Sequence, residues 1–124
     1  MANAMYAQNA YLDTMVTTST TPLDLVILLY DGAIGRLNKA IFSLNEGKKG
    51  QKAQNIAKTT AIIEELLATL NLEAGGEIAA NLQDIYLYML KELTVANLKN
   101  DVEKMRHVEY LLRDLRDAWK QIKC

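Results

Sequence analysis

The chain has 124 residues, 50% hydrophobic and 23% charged, with a net charge of −1 from 14 basic and 15 acidic side chains. That length suits one domain able to bury about two-thirds of the surface it exposes when unfolded, without help from disulfides or metals. The near-even charge excludes the long-range attraction of a nucleic-acid or anionic-membrane binder, and the lone Cys124 excludes an internal disulfide.

Residues 1–21 form an N-terminal segment, expected to be mobile or a short helix lying loosely on the rest. It has few charges and carries Met5, Tyr6, Tyr11 and Met15, and its run Thr17–Thr21 reads as an extended lead-in. No basic region followed by an apolar stretch marks a secretory leader, and no apolar run approaches the roughly 20 residues of a membrane span. A cytoplasmic location is the expectation, with no membrane insertion.

The first helix is expected over 22–46. Thr21 can cap it, Pro22 suits its first position, and Asp24 stands where a capping-box carboxylate reaches back. Val26, Tyr30, Ala33, Leu37, Ala40 and Leu44 give it a core face. From Leu23 to Tyr30 only Asp24 is polar, so apolar side chains run almost all the way round. Something besides the helix's own bundle must cover the excess. Gly32 sits mid-helix at a cost of about 1 kcal/mol against alanine, which predicts close approach of another backbone, with the N-terminal segment as candidate.

Gly47 and Gly50 bracket a short basic loop carrying Lys48 and Lys49. A second helix is expected over 52–72, on Ile56, Thr60, Ile63, Leu67 and Leu70, broken by Gly75-Gly76. A third is expected over 77–98, on Ile78, Leu82, Ile85, Met89, Leu93 and Ala96. The fourth begins after Asn100, a good N-cap with Glu103 three residues on, and continues on Met105, Val108, Leu112, Leu115, Trp119 and Ile122. Short loops make sequential helices antiparallel neighbours. The expected fold is all-α, an antiparallel up-down-up-down four-helix bundle over 22–124, about 30 Å long.

Several apolar residues fall off these core faces: Leu25, Leu28 and Phe42 on the first helix, Leu87, Tyr88, Val95 and Leu98 on the third, Tyr110 on the fourth. Ile62 and Leu66 flank the core face of the second. Single stray leucines are ordinary on protein surfaces. Several together can line grooves that take an amphipathic helix from a partner. Leu25, Leu28, Ile62, Leu66, Leu87, Tyr88, Val95 and Tyr110 are the candidate partner-binding residues. Tyr6 and Tyr11 suit a groove cover or a second recognition surface.

No catalytic constellation appears. His107 is the only histidine, with Glu103 one turn before it, so a carboxylate-bridged di-iron bundle cannot be assembled and no metal is expected. Histidine phosphotransfer also uses a four-helix bundle with one exposed histidine, which keeps His107 as an alternative. Val108-Glu109-Tyr110-Leu111 after it lacks a glycine and places an acid beside any phosphoryl group. Gly75-Gly76 is better explained as a helix break than as an anion cradle, and Cys124 has no histidine nearby in sequence to activate it. The chain is expected not to be an enzyme and to need no cofactor.

The order of blocks along the chain resembles the flagellar secretion chaperone FliS family. Asn9-Ala10-Tyr11 and the threonine-rich stretch into Pro22 are similar to the family's N-terminal pattern, and Leu28-Leu29-Tyr30-Asp31-Gly32-Ala33 to its most recognisable block. Gly75-Gly76-Glu77-Ile78-Ala79, Asn81-Leu82, Tyr86 and Tyr88-Met89 resemble its third-helix opening. Leu93, Ala96-Asn97 and Asn100-Asp101 resemble the turn before its last helix, and Arg116-Asp117-Ala118-Trp119 its closing block. Thr20 departs from the alanine often found there, and the chain lacks the longer charged tail many members carry after the tryptophan.

The resemblance implies a helical bundle that binds the disordered C-terminal region of flagellin in the cytoplasm. It implies that the bundle blocks premature polymerisation and keeps the subunit fit for type III export. The implied partners are flagellin, the membrane-embedded export gate and, in some bacteria, regulators that also bind flagellin. Free, the protein is expected to be a monomer or a weak homodimer joined through spare apolar surface.

Overall fold

A computed structural model describes residues 21–122, which form four helices. These are α1 (Pro22–Asn45), α2 (Lys49–Ala68), α3 (Leu72–Lys99) and α4 (Val102–Ile122). No strand occurs among the described residues. No helix among them is long and apolar enough to cross a membrane.

The start of α1 follows its sequence. The Thr21 side chain accepts from the Asp24 amide at 3.1 Å, and the Asp24 carboxylate accepts from the Thr21 amide at 3.2 Å. This reciprocal box satisfies two amides that no helical carbonyl can reach. The helix ends where Gly47 takes φ +75°, a left-handed turn that glycine enters without a Cβ penalty. Its amide then donates to the Leu44 carbonyl.

Two boundaries differ from expectation. α2 ends at Ala68, and the break lies at residues 69–71 rather than at Gly75-Gly76. Asn71 starts α3 by accepting from the Ala74 amide at 3.0 Å. Gly76 is instead a kink inside α3, at φ 53° and ψ −128°. The second difference is at α4. Asn100 does not cap it; Asn100 closes α3 in the left-handed conformation that asparagine tolerates. Asp101 takes the capping role, accepting from the Lys104 amide at 3.2 Å.

The helices pack in a ring: α1 against α2 and α4, and α3 against α2 and α4. Tyr88 meets His107 and Glu92 meets Lys104, so α3 and α4 run in opposite directions. Gly32 faces Ile62 while Ser43 and Gln51 line one cavity, so α1 and α2 do likewise. Lys52, near the start of α2, bonds Asn97, near the end of α3. These pairings agree with an up-down-up-down order.

The core centres on Tyr30, Ala33, Leu37, Ile63, Tyr86, Met89, Leu93, Met105, Val108 and Leu112. On α2 the buried face is turned by about one residue from the expected one: Thr59, Ile62 and Leu66 are inside, while Thr60 and Leu67 are only half-buried. Thr59 can be buried because its hydroxyl donates to the Asn55 carbonyl at 2.8 Å. Ile78, expected in the core, is exposed just after the Gly76 kink. Ile122 is exposed as well. No backbone approaches Gly32 among the described residues. A Cβ there would meet the Ile62 Cδ1 at 3.5 Å, an ordinary side-chain contact.

Candidate functional site

Large apolar side chains remain in solvent on the outer side of α3 and α4. Leu87, Tyr88 and Leu98 are exposed on α3, and Tyr110 on α4. Leu87 and Leu98 stand eleven residues apart, three helical turns, and share one line along α3. Leu98 and Tyr110 are 81% and 65% exposed.

A polar aromatic contact marks the α3–α4 seam. The Tyr88 hydroxyl lies 3.3 Å from the His107 Nδ1, and the two rings meet edge to face with centroids 5.8 Å apart. One turn along, Lys104 pairs with Glu92 at 3.3 Å. These contacts hold the two helices side by side while the faces of Tyr88 and Tyr110 stay accessible.

The other candidate residues divide three ways. Val95, Leu25 and Leu28 are half-buried, so each offers part of its surface. Ile62 and Leu66 are corrected: at 7% and 1% exposure they belong to the core and line no open groove. The reason is the turn of the α2 face, which brings both against α1 and the interior. Tyr6 and Tyr11 lie outside the described residues.

The elements beneath this surface are held by polar contacts that hydropathy alone does not show. Tyr30 and Tyr86 share a hydroxyl–hydroxyl hydrogen bond in the core. Desolvation by burial raises both phenols above their ordinary value; on Tyr30 the side chains of Tyr86 and Trp119 oppose that rise. Lys52 is a buried residue whose ammonium donates to the Asn97 carbonyl at 2.9 Å and to its side-chain oxygen at 2.8 Å. That places a cation on the C-terminal carbonyls of α3, where the helix dipole favours it. Burial, and then the nearby positive charge of Lys49, lower the Lys52 pKa. Arg116 spans from α4 to Asp31 on α1 at 3.2 Å and also pairs with Asp117.

No cluster of three or more histidine, cysteine or acidic side chains that could hold a metal occurs among the described residues. His107 is exposed, and its one recorded side-chain hydrogen bond is to Tyr88.

A four-helix bundle with this apolar outer surface is matched along residues 1–124 by the family described as flagellar protein FliS. The chain belongs to the FliS family. Its similarity to the flagellar secretion chaperone FliS of Salmonella typhimurium is 42% identity over 105 residues, covering 84% of this chain and 78% of that one. The Bacillus subtilis flagellar secretion chaperone FliS is 37% identical over 112 residues, covering 90% and 82%. The flagellar secretion chaperone FliSB of Pseudomonas aeruginosa is 32% identical over 122 residues, covering 96% and 97%. Membership of the FliS family places the chain among flagellar chaperones.

Proposed function

We propose that the protein is a cytoplasmic chaperone for flagellin, which holds the subunit's disordered C-terminal region before type III export. The observation that carries this reading is the set of exposed apolar side chains on α3 and α4, Leu87, Tyr88, Leu98 and Tyr110, in a chain of the FliS family. A flagellin terminus with amphipathic segments presents a complementary apolar stripe, which is the helix-in-groove mode of recognition. Covering both stripes removes apolar surface from water on each partner and denies the flagellin segment the contacts through which it polymerises. Ordering a disordered ligand consumes much of the gain, which leaves a complex that can be undone at the export gate. Hand-over to that gate, and contact with a regulator that also binds flagellin, complete the role.

The test is to mix the full chain with a flagellin C-terminal peptide. A one-to-one complex with newly formed helical circular dichroism is expected. No binding at micromolar concentrations overturns the reading.

A further inference from the structure

The seam between α1 and α2, on the opposite side of the ring from the α3–α4 surface, has a different chemistry. It holds a shallow cavity of about 340 Å³ lined by Asn38, Lys39, Phe42, Ser43, Gln51 and Asn55. Phe42, the only phenylalanine of the chain, is 64% exposed beside these amides. The Gly32–Ile62 contact and the cavity shared by Ser43 and Gln51 fix the register of the two helices. Between those points the register sets Arg36 on α1 level with Lys58 on α2, with Lys39 one turn away.

None of Arg36, Lys39 and Lys58 has a hydrogen bond or ion pair among the described residues. Lys48 and Lys49 add positive charge at the loop end. The acids nearby are few: Glu46 at one end, Glu65 two turns beyond Lys58 at the other, and Asp31, which already pairs with Arg116. Like charges facing each other across a seam are unfavourable unless an anion joins them.

We propose that the α1–α2 seam is a second docking surface, which takes an acidic amphipathic helical segment of another protein. An apolar side chain of that segment packs on Phe42, and its carboxylates pair with Arg36, Lys39 and Lys58. Charge complementarity selects this occupant. Residues 1–20 carry one charged side chain, Asp13, and so do not supply the anions the seam lacks. The surface is separate from the one assigned to flagellin, so this inference stands or falls independently of that reading.

The experiment uses the isotope-labelled full chain and two designed helical peptides with the same leucine stripe, one flanked by glutamates and the other by lysines. The glutamate peptide is expected to shift amide signals of 36–43 and 51–58, with affinity falling as salt rises. Phe42→Ala, and the triple change Arg36→Gln, Lys39→Gln, Lys58→Gln, are each expected to weaken it about tenfold or more while thermal melting is unchanged. Equal binding of both peptides, no saturable binding, or affinity unaffected by these variants overturns the proposal. So do signal changes from residues 1–20, which would make the chain's own N-terminus the occupant. Phe42-dependent self-association in light scattering would make the occupant a second copy, and overturns it too.

Discussion

The hydroxyl groups of Tyr30 and Tyr86 meet 2.5 Å apart in the core, joining α1 to α3, two helices that are not neighbours in the ring. The rest of the interior around them is almost wholly apolar. A lone hydroxyl there would be costly, and two together satisfy one another. Tyr30→Phe strands the Tyr86 hydroxyl and is expected to cost about 1–3 kcal/mol, whereas Tyr86→Phe leaves the Tyr30 hydroxyl with Trp119 and is expected to cost less. The double variant is expected to cost clearly less than the sum. Urea denaturation of the four proteins gives the coupling directly.

The same pair is expected to weaken the fold at alkaline pH. Burial holds both phenols above the ordinary 10.0. The unfolded chain releases these protons near pH 10 and the folded chain keeps them, so the stability is full below pH 10 and is lost as pH rises beyond it. Lys52, with its pKa lowered from 10.5, works in the opposite sense, gaining stability as pH rises toward that value. It is one group against two, and the tyrosines dominate above pH 10.5. Phenolate absorbance and helical circular dichroism are expected to change together in this range. The Tyr30→Phe, Tyr86→Phe double variant is expected to lose that linked phase.

Leu66 and Tyr110 separate fold from binding. Leu66→Asp puts a carboxylate where 1% of the residue is exposed, and is expected to destabilise the bundle by more than about 3 kcal/mol. Tyr110→Asp changes a side chain already in water, and is expected to leave thermal melting within a few degrees of wild type while weakening the flagellin peptide. Calorimetric melting and peptide titration of both variants check the contrast.

Glycines at 35 and 76 answer opposite demands. A Cβ at Gly35 meets nothing within 4 Å, mid-helix and exposed, so Gly35→Ala is expected to stabilise by about 0.5–1 kcal/mol. Gly76 has φ +53°, and Gly76→Ala is expected to destabilise by about 1–2 kcal/mol. Denaturant midpoints of the two variants should move in opposite directions.

The helices that announced themselves in sequence are those with chemical punctuation. Thr21, Pro22 and Asp24 mark the start of α1, and the capping box forms as read. Asn71 is an equally good cap, but Gly75-Gly76 drew the boundary toward itself, because a glycine pair looks the same whether it breaks a helix or kinks one. Asn100 and Asp101 are both competent caps; only the left-handed backbone at Asn100 decides between them. The α2 face was misplaced for a related reason. Lys52 and Thr59 are polar and yet buried, because bonds to Asn97 and Asn55 allow both inside, and the face turns with them. Ile62 and Leu66 follow that turn into the core. The exposed residues of α3 and α4 were legible because α3 and α4 have a well-marked core face, against which Leu87, Tyr88, Leu98 and Tyr110 stand out. The contact of Tyr88 with His107 carries no sequence signal, since nineteen residues and a helix turn separate the pair.

The most direct measurement is hydrogen exchange of the full chain with and without the flagellin C-terminal peptide. New protection is expected along 87–98 of α3 and 107–111 of α4, together with burial of Tyr88 and Tyr110. Binding with no change in those stretches, or protection confined to α1 and α2, would contradict the assignment of the α3–α4 surface to flagellin.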